Sequence, residues 1–306
     1  MASDREKIEA RVRACYAGWS DNYHQNYYGP QAAYPPVHRD LLRNELLAAG
    51  AATLLDAGCG SASFLRELTD TGIELYGFDL TPEMVAEGRR IFAELGLPPQ
   101  RLWQGSVLDP DAFADPAGRL TGRFDAVVCA GVLPHIPEPD DLRVIANLRA
   151  AVRPGGLVLL EARNALFALF TLNRYSLDFF QNDLLGLEQL RDQASAAEKP
   201  ALERAMLHLQ ERFRMDLPPR RTGNPDEPGY DDVLSRTHNP FILRQQFADE
   251  GFREVRVLFY HYHCLPPMLA ADVPDLFRTR SLAMEDPSDW RGHFMASAFI
   301  VAGVRS

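Results

Sequence analysis

The sequence predicts an α/β fold, a doubly wound and mostly parallel sheet, on three observations. Strand-like apolar runs alternate with helical patterns from Thr53 to Glu161, which argues for a parallel sheet with helices on both faces. The stretch LLDAGCGSASFL, residues 54–65, reads as strand, glycine-rich turn and helix start. The chemically distinctive residues Asp56, Asp79, Ser106, Cys129 and Glu161 fall at the carboxyl ends of the predicted strands, where open α/β sheets bind ligands.

Taken in order, Ser3 and Glu6 form a capping box for a helix running to about Trp19. Tyr16, Trp19, Tyr23, Tyr27, Tyr28 and Tyr34 follow, interleaved with Asn22, His24, Gln25 and Asn26 and closed by Gly29 and Pro30. Amphipathic rings of this kind either pack on a domain surface or form a lid over a cleft. Residues 36–49 are a helix with Leu41, Leu42, Leu46 and Leu47 on one side and Gly50 as its stop. The strand LLDA precedes a helix from about Ser63, and IELYGFD is a second strand ending at Asp79. Thr81 and Pro82 then start a helix that ends near Gly96. RLWQGS and FDAVVCAG are the third and fourth strands, and a helix through Leu142, Ile145, Leu148 and Val152 leads by the turn Arg153-Pro154-Gly155-Gly156 to the fifth, LVLLE.

The 306 residues, 46% of them hydrophobic, suit one large domain with an insertion. Apolar runs stay below the roughly 20 residues of a membrane span, and MASDREKIEA is too charged for a signal peptide. A cytoplasmic protein without membrane partners is expected. Cys15, Cys59, Cys129 and Cys264 are far apart without CxxC spacing, which points to reduced thiols rather than a disulfide framework or zinc site. A net charge of −10 opposes a phosphate backbone, so nucleic acid is not the expected partner.

In this context the chain resembles the class I S-adenosylmethionine-dependent methyltransferases over residues 36–161 and the C-terminal strands. LDAGCGSASFL is similar to the family's first motif, which implies that Asp56, Gly58 and Gly60 lie against the methionine part of the cofactor. GFDLTPEMV resembles the second and implies a place for Asp79 on the ribose hydroxyls, with Leu80 beside it. QGSVLD resembles the adenine-flanking segment, with Ser106 and Val107, although the family often has an acidic residue where Ser106 stands. FDAVVCAGVLPHI resembles the fourth motif and puts Ala130 near the cofactor, and RPGGLVLLE resembles the post-strand signature. The resemblance implies a seven-stranded sheet whose last strand is antiparallel, formed by EVRVLFYHYH and ASAFIVAGVR. An acidic residue some twenty positions after a glycine turn also suits a nicotinamide dehydrogenase. Ser63 at the third glycine position argues against that fingerprint.

The expected organisation is an N-terminal helix and aromatic lid over 1–35, a cofactor-binding core over 36–161, a helical insertion over 162–237 and the rest of the core over 238–306. The insertion contains ALFALFTLNRYSLDFFQNDLLGLEQL and a helix with Leu202, Met206, Leu209 and Phe213 on one side. It suits either an acceptor cap or a homodimer contact. Residues 218–232 read as an exposed loop. Methyl transfer from a sulfonium is an in-line displacement, so a base is needed only where the acceptor carries a proton whose loss helps. His135, just after the fourth strand, is the candidate base, its imidazole titrating near neutrality. Tyr16, Tyr23, Tyr27, Arg163, Tyr175, His238 and His261 are candidates for the acceptor site. No metal is expected: Pro134 precedes His135 where metal-dependent relatives carry an acid, and His261 and His263, on one strand face, lack a completing carboxylate. The expected function is methylation of oxygen or nitrogen on a small-molecule acceptor. Protein or carrier-bound acceptors, and a cofactor-binding protein without transferase activity, are the alternatives.

Overall fold

A computed structural model describes residues 4–18, 23–28, 34–118, 123–224 and 228–306. One sheet of seven strands has the order β3-β2-β1-β4-β5-β7-β6. The strands are β1 Thr53–Ala57, β2 Glu74–Asp79, β3 Leu102–Gln104, β4 Phe124–Cys129, β5 Val152–Arg163, β6 Phe252–Tyr262 and β7 Ala296–Arg305. β1 to β5 pair in parallel and β7 is antiparallel to β5, as the resemblance implies. The central strands are apolar on both faces: Leu54, Leu55, Val127 and Val128 are fully buried, as a parallel sheet covered by helices requires. The order reverses between β1 and β4, so their carboxyl ends diverge and leave a crevice.

The helices are α1 Asp4–Ala17, α2 Tyr23–Tyr27, α3 Val37–Ala48, α4 Pro82–Glu94, α5 Asp141–Ala151, α6 Ala168–Thr171, α7 Arg174–Phe179, α8 Leu187–Gln193, α9 Lys199–Gln210, α10 Pro240–Asp249, α11 Pro274–Ala283 and α12 Gly292–Met295. α4 buries Met84, Val85, Ile91 and Phe92 while Arg90 pairs with Glu87 and Glu94 outside. Burying one large apolar side chain contributes about 1.5–3 kcal/mol, so this face rather than the surface ion pairs holds the helix. Phe78 of β2 meets Phe113 edge-on at 4.9 Å and fixes the strand end that carries Asp79.

Three local expectations change. The helix expected from Ser63 is a short 3-10 turn, Leu65–Leu68. Ala62 has φ 61°, outside helical space, and Thr69 to Gly72 are turn formers that end the segment. The Arg153–Gly156 turn is absorbed into β5, whose pairing with β4 shifts register between Phe124 and Ala126. α9 stops at Gln210, before Phe213. Ser3 and its capping box lie outside the described residues.

The chain divides into two compact units, one of Met1–Arg163, Arg221–Leu258 and Ala298–Ser306, the other of Asn164–Arg220 and Phe259–Ser297. The second unit therefore joins most of the expected insertion to a C-terminal piece. Within it the Asn164 amide donates to the carbonyls of Gly292, His293 and Ala296 at 3.1, 2.9 and 2.8 Å. Asn173 caps α7 in a capping box with Ser176. Both amides are structural.

Candidate active site

The crevice begins at the end of β1. Gly58 has φ +94°, and a Cβ there would lie 2.2 Å from Val132 Cγ2, so only glycine lets the turn pass this close. The amides of Gly58 and Cys59 donate to the Phe78 carbonyl at 2.8 and 3.0 Å, tying the turn to β2. Gly60 donates to Asp79 Oδ2 and Thr81 to Asp79 Oδ1, both at 2.8 Å. Burial raises the Asp79 pKa while these amides oppose the rise. The Thr81 side chain bonds the carboxylate as well, and these three donors leave part of its acceptor capacity open.

A cleft opens here, lined by Gly58, Gly60, Asp79, Leu80, Ser106 and Val107 after β1, β2 and β3 on one side of the strand reversal and by Ala130 after β4 beyond it. α1 supplies Glu9, Val12 and Tyr16, and His135 completes the rim. The structure thus brings together the predicted cofactor residues except Asp56, which is 3% exposed and lies behind the turn. Burial and the nearby Asp79 raise the Asp56 pKa to about 8. Burial likewise pushes the Cys59 and Cys129 thiols well above their usual range, so neither is a nucleophile.

His135 ends a 3-10 turn, Leu133–His135, after β4. Its Nδ1 is 2.6 Å from the Leu234 carbonyl and its Nε2 2.8 Å from the Tyr16 hydroxyl. A carbonyl only accepts, so Nδ1 carries the proton and the Nε2 lone pair receives the Tyr16 O–H. Burial lowers the His135 pKa to about 4, opposed by the Leu234 carbonyl and assisted by Arg163. The imidazole is therefore neutral at ordinary pH. Arg163, bonded to Ser235 Oγ at 2.5 Å, and Arg221 lie over the Tyr230 ring at 4.8 and 4.4 Å from its centre, and Tyr230 meets His135 edge-on at 6.0 Å.

The other acceptor candidates are not at this cleft. His238 is buried with Nε2 3.6 Å from Asp141, which Arg236 also holds. Tyr27 is 44% exposed, and the side chain of Tyr23 lies outside the described residues. Tyr175 and His261 belong to the second unit, where Tyr175 stacks under Arg174 and His261 against His263. Among the described residues no cluster of three or more metal-ligating side chains occurs. The sequence reading missed Glu9, Val12, Thr81, Met84, Val132 and Ile136 in the lining. Glu9, Val12 and Tyr16, spaced three and four apart, form one helical face; that spacing was the available signal.

The charged side chains lining the cleft, Glu9 and Asp79, are both acidic, and no arginine or lysine is among the lining residues. Such a wall suits a cation and repels a pyrophosphate. A family profile described as Methyltransferase domain matches residues 55–158. A ubiquinone biosynthesis O-methyltransferase of Xanthomonas oryzae pv. oryzae is 31% identical over 60% of this chain and 74% of its own length. The chain belongs to the class I S-adenosylmethionine-dependent methyltransferases. A namesake from Xylella fastidiosa is 28% identical over 67% of this methyltransferase and 79% of itself. The crystal structure of magnesium protoporphyrin IX methyltransferase from Synechocystis PCC 6803 with bound SAH shares the fold, with TM-score 0.53, 17% identity and coverage of 98% of this chain and 100% of that one. S-adenosylmethionine is the cofactor, and the acidic wall and the glycine turn fit its sulfonium and its close approach to backbone.

Proposed function

We propose that this methyltransferase methylates an oxygen of a small-molecule acceptor, with Tyr16 and His135 removing the acceptor's proton. The observation that carries the proposal is the Tyr16 hydroxyl donating to the neutral His135 Nε2 at the rim of the cleft. An amine attacks as its free base, whereas a hydroxyl gains nucleophilicity by losing its proton, so a fixed relay favours oxygen. In this reading Gly58 and Gly60 face the methionine part of the cofactor. The remaining acceptor capacity of Asp79 takes the ribose hydroxyls, Leu80 and Val107 flank the base, and Ser106 and Ala130 complete the wall. When bound, S-adenosylmethionine supplies an electrophilic methyl group. The chain holds the acceptor oxygen in line; the acceptor proton passes to the Tyr16 oxygen as the Tyr16 proton passes to His135 Nε2. His135 then returns it to water, as its low pKa permits.

Label transfer from methyl-labelled cofactor to a panel of phenols, carboxylic acids and amines tests the acceptor class; transfer confined to amines overturns it. His135→Ala is expected to lower turnover by about a hundredfold with S-adenosylhomocysteine affinity unchanged. With a base of pKa about 4, the wild-type rate stays level above pH 5.5 or so and falls toward pH 4. A variant retaining a third of the turnover with an unchanged pH profile removes the base role. Self-association through the insertion belongs to the same proposal, supported by Leu184, Leu190 and Leu207 left exposed there; sedimentation as a monomer excludes it.

A further inference from the structure

Glu9 stands out among the cleft residues because the reaction gives it no task. It comes from α1, yet its Oε1 accepts from Ser106 Oγ at 2.7 Å. Ser106 Oγ also accepts the Leu108 amide at 3.2 Å, and Asn147 holds the Val107 carbonyl at 2.9 Å. The wall that receives Glu9 is thus fixed from behind, and its hydroxyl proton is committed to the carboxylate. Glu9 Oε2 accepts no hydrogen bond among the described residues, although it belongs to a half-buried carboxylate lining the cleft. A carboxylate held with one oxygen satisfied and one open is organised for an external donor.

Of the lining, Val12, Leu80, Val107 and Ile136 can enclose a flat base, and Asp79 is anchored to the Gly60 and Thr81 amides at the end of β2. Adenine offers an exocyclic amino donor that needs an acceptor once it leaves water. We propose that Glu9 is that acceptor, so that the N-terminal helix, rather than the sheet, selects adenine. The inference rests on the cofactor placement proposed above. It makes base recognition and α1 docking one event: a cofactor whose base satisfies Glu9 holds the helix down, and a docked helix completes the cofactor site.

Titration calorimetry with S-adenosylhomocysteine and with S-inosylhomocysteine, whose base carries a carbonyl oxygen in place of the amino group, tests the inference. The wild type should prefer the adenine compound by about 10- to 100-fold, because a carbonyl facing a carboxylate leaves both acceptors without a proton. Glu9→Gln is nearly isosteric and its amide can donate to a carbonyl, so the preference should collapse to within about threefold. Glu9→Ala should weaken S-adenosylhomocysteine by about tenfold while Asp79→Ala still weakens both ligands alike. A wild type without base preference, or a Glu9→Gln protein with the full wild-type preference, overturns the proposal and leaves Glu9 as a brace for Ser106. Loss of the Asp79→Ala effect with Glu9 discrimination intact instead removes the ribose placement, so the two failures are distinguishable.

Discussion

Asp79 accepts two backbone amides, from Gly60 and Thr81, and a bond from the Thr81 side chain, which leaves part of its acceptor capacity open. Asp79→Ala should therefore remove a charge-assisted contact worth about 1.5–3 kcal/mol and weaken S-adenosylhomocysteine roughly ten- to a hundredfold. Calorimetry decides the point, and unchanged affinity would place the ribose elsewhere. The same substitution releases the Gly60 and Thr81 amides, so its melting temperature should drop as well. His135 shows how far burial alters a residue that the sequence singles out by type. An imidazole near neutrality is the sequence expectation, but desolvation lowers it to about 4, and its proton partners, Tyr16 and Leu234, come from chain segments about a hundred residues away on either side.

At the scale of elements, α1 is held by Arg5 on Asp140, Glu9 on Ser106 and Tyr16 on His135, with Cys15 buried beneath it. In the proposed function this helix supplies catalytic and binding groups more than core. Deleting residues 1–34 should abolish methyl transfer while leaving a folded protein that binds S-adenosylhomocysteine more weakly; full turnover in the truncated protein would rule out a functional α1. The glycine turn is the contrasting case. Its sequence signal, two glycines after an apolar strand, predicts a bend through positive φ, and Gly58 and Gly60 both have it. The helix expected after it is missing because Ala62 leaves helical space and the segment ends in turn formers within ten residues.

For the molecule as a whole, buried titratable groups set the pH dependence of stability. His135 and His263 both have folded pKa values near 4 against 6.5 when unfolded, through burial. The unfolded chain binds their protons first, so their contribution is present above pH 6.5 and is lost as pH falls toward 4. Asp56 acts in the opposite sense: its folded pKa is about 8 against 3.8, so its contribution is lost as pH rises across that interval. For these three groups the rising and falling contributions balance near pH 6.5. Between pH 6.5 and 8 Asp56 contributes a decline of up to about 1.4 kcal/mol per pH unit. Asp56→Asn should make that decline shallower in urea unfolding at pH 6.5, 7.25 and 8; equal slopes in wild type and variant would show that Asp56 ionises normally.

Local signals in the sequence were enough for the mostly parallel sheet, the family and most of the cleft wall: apolar runs, glycines at fixed offsets and an acid at a strand end. Gly58, Gly60, Asp79, Leu80, Ser106, Val107 and Ala130 were all legible in that way, and all line one cleft. Tertiary structure alone decided which distant groups share it. Glu9 is an ordinary helix-surface acid until α1 lies against Ser106, and Asp56 reads as a ligand until the turn closes over it. His238 and Tyr16 are equally plausible acceptor residues in sequence, yet folding sends one to Asp141 and the other to His135. Hydrogen-bond partners and desolvation depend on contacts far apart in the chain, and periodicity within a segment carries no record of them.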